Sequence, residues 1–155
     1  MRKAALNALG VMLLVSCGSL ASAQRPRVPP PPMTIEMLQA EFVGRTGSDI
    51  VYFTGSSHGL DAAAQRTLAA QAGWLLSNPA IRVRIEGHAD ERTPRDYALA
   101  VGERRASAVR DFLVLQGVPA AQVTIISWGK ERPVVAGSSE QALALNRRVK
   151  TVLMR

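Results

Sequence analysis

Asp90 and Arg105 are the residues of this chain best suited to a shared piece of chemistry. Asp90 stands in the polar run Glu86-Gly87-His88-Ala89-Asp90-Glu91-Arg92, and Arg105 in Gly102-Glu103-Arg104-Arg105-Ala106. A carboxylate accepts hydrogen bonds from an ammonium group, and a guanidinium forks onto a carboxylate through two parallel N–H donors. A ligand carrying both groups on one carbon, the free end of an amino acid, satisfies both residues at once. The plainer arrangement, in which Asp90 and Arg105 pair with each other, is also open to chemistry alone. Other constellations are poorer. His88, Asp90 and Glu91 are metal-ligand types, but His58 is the one other histidine and a metal site wants three or four ligands. His88 reads instead as a hydrogen-bonded structural residue at a strand end. Ser56, Ser57 and Ser127 supply hydroxyls, yet none stands in a G-x-S-x-G elbow. There is no Walker loop and no G-x-G-x-x-G, so no nucleotide cofactor is indicated. These residues argue for binding, without catalysis, metal or cofactor.

A short β-rich run, Ile50-Val51-Tyr52-Phe53, precedes Asp61, which offers an N-cap to a helix over 62–76 with Leu68, Ala72 and Leu75 on one face. Asn78-Pro79 stops that helix. Ile81, Val83 and Ile85 alternate with Arg82, Arg84 and Glu86, the pattern of a half-buried strand. Residues 87–94 then read as a polar loop. A helix over 95–116 carries Leu99, Ala106, Val109 and Leu113 at helical spacing, and Gly117 supplies its stop. A strand over 123–128, a short helix over 140–146 and a last strand over 149–154 complete a β-α-β-α-β-α-β order. That order predicts an α/β two-layer sandwich, with helices packed on a mixed sheet. A strand, a loop and a returning helix bring Asp90 close to a residue one or two turns into that helix, such as Arg105. Trp74 and Trp128 read as packing residues, and Arg147 and Arg148 as ion-pairing residues near the sheet edge.

The chain has 155 residues, room for one domain plus accessory segments, and carries a formal charge of +7. A basic balance suits nucleic acid, anionic lipid or an acidic polymer such as a cell wall. No Lys/Arg run is interleaved with aromatics, so nucleic acid is not favoured. Arg2 and Lys3 precede an apolar stretch from Ala4 to Val15, the layout of a secretory signal too short to span a bilayer comfortably. Two processing sites compete. Leu14-Val15-Ser16-Cys17 resembles a bacterial lipobox, which makes Cys17 the lipidated first residue, whereas Ala21-Ser22-Ala23 resembles an ordinary cleavage site before Gln24. Cys17 is the only cysteine, so no internal disulfide can form. Gly18 follows it rather than Asp, which by analogy with other lipoproteins does not hold the protein at the inner membrane. Residues 24–33 contain four consecutive prolines that favour a stiff extended spacer, and Thr34 can cap a short helical turn over 35–42. The organisation expected is therefore a lipoprotein-type signal over 1–16, a lipidated Cys17 with a Pro-rich tether over 17–40, and a folded domain over 41–155.

The run from Glu86 to Arg92, followed by Asp96-Tyr97-Ala98-Leu99 and by Gly102-Glu103-Arg104-Arg105-Ala106, resembles the peptidoglycan-associated lipoprotein family of the OmpA-like group. Ser127-Trp128-Gly129-Lys130-Glu131-Arg132-Pro133 is similar to that family's S-Y-G-K-E-R-P segment, with Trp in place of Tyr, and Asn146-Arg147-Arg148 matches its N-R-R. The likeness covers roughly residues 41–155, and its motifs occur in order. It implies an OmpA-like domain on a lipid anchor in the outer membrane, facing the periplasm. It also implies non-covalent binding to the diaminopimelate of peptidoglycan stem peptides, and partnership with a TolB-like periplasmic propeller protein in a Tol–Pal envelope system. By position, Asp90 and Arg105 match the residues that hold the ligand's amine and carboxylate, and Val101 an apolar contact beside them. One departure bears on affinity. After the first strand the family has an F-D-x-D-S pattern, where this chain reads Phe53-Thr54-Gly55-Ser56-Ser57. Thr54 and Ser56 still offer hydrogen bonds, but the negative charge is lost. Thr93-Pro94 also stands where the family often has Gly-Thr, and proline restricts the residue before it. A scaffold that docks TolB-like partners while binding the wall weakly or not at all is therefore the alternative; an envelope hydrolase is the third.

Overall fold

Thr34 opens the first element by accepting a hydrogen bond from the Met37 N–H at 3.3 Å, and the helix it caps, α1, spans Ile35–Thr46. The computed structural model describes residues 32–154. Gly47, at φ +83°, ends α1. After strand β1 (Ile50–Tyr52), Asp61 caps α2 (Ala62–Ser77) with its carboxylate 2.7 Å from the Ala64 N–H. Strand β2 (Arg82–His88), helix α3 (Arg95–Leu115), a 3-10 turn at Ala120–Gln122, strand β3 (Val123–Gly129), helix α4 (Glu140–Asn146) and strand β4 (Arg148–Met154) follow. Ser139 caps α4 through the Ala142 N–H.

The four strands form one mixed sheet in the order β1-β4-β2-β3. β2 and β3 run parallel, with Ile85 opposite Ile125, and α3 makes the crossover between them. β4 is antiparallel to both neighbours, pairing Val149 with Val51 and with Gly87. The period-2 alternation of the strands decides which face is dry. Val51, Val83, Ile85, Val123, Val149 and Leu153 are buried against Phe42, Leu68, Leu75, Val109 and Leu113 of the helices. Each fully buried side chain of that size stabilises the fold by roughly 1.5–3 kcal/mol relative to exposure. Phe42 and Trp74 lock α1 to α2 edge-to-face, with ring centroids 5.1 Å apart. Trp74 is thus a packing residue, as its setting in the helix suggested; Trp128 instead carries the Arg132 guanidinium 3.4 Å above its ring.

The α/β two-layer architecture is the one expected, with shifts at its edges. Strand β2 runs through His88, so the loop before α3 begins at Ala89. Gly87 continues the ladder on both sides, opposite Ser127 and Val149, and a register shift falls between Gly87 and His88. The expected turn over 35–42 is a three-turn helix, and the compact unit begins at Pro32 rather than at residue 41. The reason is burial: Phe42 is inaccessible, and Ile35, Leu38 and Val43 pack on the same core. Residues 35–40 are therefore helix and not tether. The expected signal over 1–16, Cys17 and most of the Pro-rich segment lie outside the described residues.

Candidate functional site

Three turns of chain meet at one end of the sheet: residues 53–57 after β1, residues 89–94 after β2, and Arg147 just ahead of β4. Between the first two opens a cavity of about 140 Å³ lined by Gly55, Ser56, Ala89, Asp90, Arg92, Thr93, Val101 and Arg105. Six of these eight lie in the turns; Val101 and Arg105 reach in from α3 one helical turn apart. Asp90 and Arg105 do share the cavity, as their spacing suggested. They form no ion pair with each other, so the self-paired arrangement is not the one adopted.

Each is instead held by other groups. Arg105, 1% exposed, donates from Nε to the Ser57 carbonyl at 2.9 Å, from Nη1 to His88 at 2.8 Å and from Nη2 to Gly55 at 2.6 Å. Its guanidinium also lies 5.2 Å from the Phe53 ring centroid. One side chain thereby ties the turn after β1 to the end of β2. Asp90 accepts from the Arg92 N–H at 3.2 Å through Oδ1, and from Arg92 Nη2 and Arg147 Nη1 at 3.0 and 3.1 Å through Oδ2. Arg147 continues the network to Glu140 at 3.1 Å and to the Phe53 carbonyl at 3.2 Å.

The remaining capacity can be counted. A guanidinium has five N–H donors, and three carbonyls engage one on each nitrogen of Arg105, leaving one on Nη1 and one on Nη2. A carboxylate offers about four acceptor positions, of which Asp90 uses three. A cavity with one free carboxylate acceptor and two free guanidinium donors is complementary to a small ammonium–carboxylate pair. Its volume is below the usual several hundred Å³ of a small-molecule site, so it admits a head group and not a whole polymer unit.

Burial acts against the charge on Asp90, but the hydrogen bonds from Arg92 and Arg147 outweigh it and hold the carboxyl below its ordinary range. Burial pulls the Arg105 guanidinium down to about 10, with the nearby Asp90 charge opposing; it remains protonated at neutral pH.

Ser56 lines the cavity beside Asp90, and Val101, 4% exposed, supplies an apolar wall. Thr54 falls elsewhere, in a neighbouring hollow on the far side of the same turn. Arg147 was read as an ion-pairing residue near the sheet edge, with framing of the ligand the other option; it does pair, and its partner is Asp90 in the cavity wall. Arg92 is the residue that reading residue by residue overlooked. For Arg147 the signal available was the pairing of the last strand with the first, which sets it opposite Phe53 and beside the turn. Arg148, bonded through Nη2 to the Arg132 carbonyl, takes no part in the cavity.

His88 departs from its expected role. Its carbonyl serves Arg105, but neither ring nitrogen has a hydrogen-bond partner among the described residues. Burial, reinforced by Arg148, Arg132 and Lys150 and opposed by Glu86, lowers its pKa to about 4. The folded state therefore resists a proton that the unfolded chain accepts near 6.5. Stability is expected to fall as pH drops from 6.5 toward 4, by up to about 3 kcal/mol at 1.36 kcal/mol per unit. Urea titrations across that range check this, and His88→Leu is expected to flatten the slope. Among the described residues, no cluster of three His, Cys, Asp or Glu is placed to hold a metal.

A family model described as the OmpA family matches residues 52–147, a span that includes every residue of the cavity wall. A crystal structure of the peptidoglycan-associated lipoprotein from Burkholderia pseudomallei superposes with a TM-score of 0.68 at 40% identity, covering 70% of this chain and 92% of that one. This chain belongs to the peptidoglycan-associated lipoproteins of the OmpA family. The peptidoglycan-associated lipoprotein of Agrobacterium fabrum is 47% identical over 115 residues, covering 74% of this chain and 64% of that protein. That of Pseudomonas aeruginosa is 51% identical over 98 residues, covering 63% of this chain and 58% of that protein. The chain thus spans about three fifths of the length of the curated relatives it matches. The C-terminal domain of Helicobacter pylori MotB shares the fold alone, with a TM-score of 0.65 at 18% identity. The OmpA-like lipoprotein family expected from the motifs is the family found.

Proposed function

We propose that this envelope protein binds peptidoglycan non-covalently and without catalysis. In this reading Asp90 accepts from the ammonium of a diaminopimelate stem-peptide residue, and Arg105 donates to its carboxylate. The observation that carries it is the unspent capacity of those two side chains in one cavity. Val101 and Ser56 complete the wall, while Thr54 contacts the ligand only if it extends past the turn. Relatives named for their association with peptidoglycan support the same substrate. A lipid on Cys17 would fix the domain to the outer membrane, facing the periplasm, so that wall binding becomes a tether. A TolB-like periplasmic partner in a Tol–Pal system belongs to this role.

Sacculus pull-down tests it. Asp90→Asn keeps the shape of the carboxylate but removes its charge, and is expected to weaken binding by about 2 kcal/mol, roughly thirtyfold. Retention at the level of the unaltered chain would sink the assignment. A second reading rests on the neutral residues Thr54 and Ser56 and the small cavity: a scaffold that docks TolB-like partners and holds the wall weakly. A TolB binding assay run beside the pull-down separates them, since partner binding without wall binding selects the scaffold.

A further inference from the structure

β1 lies at an edge of the sheet and is three residues long. Its ladder with β4 places Val51 opposite Val149 and includes the Thr151 N–H to the Asp49 carbonyl and the Phe53 N–H to the Arg147 carbonyl, both at 2.8 Å. In an antiparallel pair, residues that exchange bonds with the partner alternate with residues whose N–H and C=O point away. Asp49, Val51 and Phe53 thus face β4, and Ile50 and Tyr52 face the open edge. Ile50 is already served, since its N–H donates to Ser48 Oγ at 2.9 Å and that hydroxyl donates to the Ile50 carbonyl at 3.0 Å. Such local bonding blunts an edge against indiscriminate pairing. The Tyr52 N–H and carbonyl have no partner among the described residues.

Two hollows open on that one residue. The larger, of about 350 Å³, is lined by Phe53, Thr54, Gly59, Ala144, Leu145 and Arg147; the smaller, of about 210 Å³, runs past Ile50 and Thr67 between β1 and α2. Tyr52 and Asp61 line both, so the two are continuous along the strand edge. Tyr52 and Leu145 are 49% and 42% exposed, an apolar surface with nothing packed over it. Asp61 spends one carboxylate oxygen on the α2 cap and leaves the other unbonded.

We propose that this edge is a clip for an extended peptide segment of a partner protein. The segment's main chain bonds to Tyr52, an apolar side chain fills the larger hollow, and a basic side chain meets Asp61. Strand addition of this kind takes its affinity from main-chain bonds and its selectivity from flanking pockets. A single open residue on a three-residue strand is too short to join two sheets, so a peptide suits the edge better than a second copy of this chain. The cavity that holds Asp90 and Arg105 lies across the turn, and the clip shares with it Arg147, which lines the larger hollow and bonds Asp90.

The probe is the capped peptide Ac-Val-Arg-Val-Thr-NH2, compared with the same peptide N-methylated on its backbone. Both are titrated into the 15N-labelled domain while the Tyr52 amide is followed by NMR. At a free peptide concentration ten times Kd, exchange of the Tyr52 amide hydrogen is expected to slow about tenfold. The N-methylated peptide should leave it unchanged. Asp61→Asn keeps the helix cap, since Asn caps as well as Asp, and should weaken the arginine-bearing peptide about threefold while sacculus binding stays intact. Three results overturn the proposal: equal binding of the N-methylated peptide, shifts centred on Asp90 and Arg105 instead, or concentration-dependent protection of Tyr52 without peptide, which points to self-association.

Discussion

Gly87→Ala is expected to destabilise the domain more than any other substitution that adds a single methyl group. A Cβ on Gly87 would overlap the carbonyl of Gly102, which belongs to the backbone of α3 and cannot rotate away. The two glycines mark the point where α3 crosses β2, and their missing side chains let helix and strand come into backbone contact. Ordinary overpacking of a core costs about 1–3 kcal/mol because side chains yield. Here the whole helix must move from the sheet, and with it the Val101 and Arg105 side chains that line the cavity. We expect a loss above 3 kcal/mol, on the order of 10 °C or more in Tm. Gly102→Ala should be milder. Its Cβ meets the Ser127 hydroxyl, a side chain that can turn aside at the cost of its hydrogen bond to the Leu99 carbonyl, although the Gly87 carbonyl also stands only 2.9 Å away. Denaturant titrations of both variants by circular dichroism give the comparison. A Gly87→Ala midpoint within 1 kcal/mol of the unaltered domain would show that this approach is looser than described.

The fold was legible because its signals are local and repeated. Val83 and Ile85 alternate with charged residues, Asp61 stands where a helix needs a cap, and Asn78-Pro79 and Gly117 end helices where they must stop. What escaped depended on partners far away in sequence. The polarity of residues 87 and 88 reads as loop, yet β3 and β4 recruit both into the ladder. The N-terminal helix has a modest apolar pattern, and it persists because Phe42 finds Trp74. The site shows the same division. Asp90 and Arg105 could be chosen from residue type and from a strand–loop–helix return. That Arg147 clamps Asp90 depends on β4 pairing with β2, and the contact spans 57 positions that periodicity does not encode. Thr54 was placed with Ser56 because both stand at the acidic positions of the family's F-D-x-D-S pattern, but the turn carries them into different hollows.

The Asp90 cluster has a consequence for acid behaviour that runs parallel to that of His88. A carboxyl with a depressed folded pKa stabilises the domain above its ordinary titration range near 3.8, and that contribution fades as pH falls further. His88 acts first, between 6.5 and about 4, and Asp90 only below. Mild acidification therefore weakens the end of β2 while the cavity's charge pattern is still in place. Wall binding per folded molecule should persist at pH 5 even as the folded domain becomes easier to unfold.

Arg105→Met should separate the structural task of this guanidinium from the ligand-binding task proposed for it. The side chain is 1% exposed and satisfies the carbonyls of Gly55, Ser57 and His88. Methionine fills much of the volume but offers no donor, leaving three carbonyls to find water or to stay unpaired, each at about 1–3 kcal/mol if buried. A loss on the order of 3 kcal/mol is expected, since Ser57 and Gly55 lie on an exposed turn that water can reach. Arg105→Lys keeps a charge, yet a single ammonium cannot span three carbonyls set around a planar fork. It should recover part of the stability and little of the binding, because no paired donors remain for a carboxylate. Sacculus binding measured at low temperature, on material shown to be folded, reads the second task apart from the first. If Arg105→Lys folded less stably but bound the wall as tightly as the unaltered domain, Arg105 would be a brace for the turn and the carboxylate of the ligand would need another partner, with Arg92, which also lines the cavity, the next candidate.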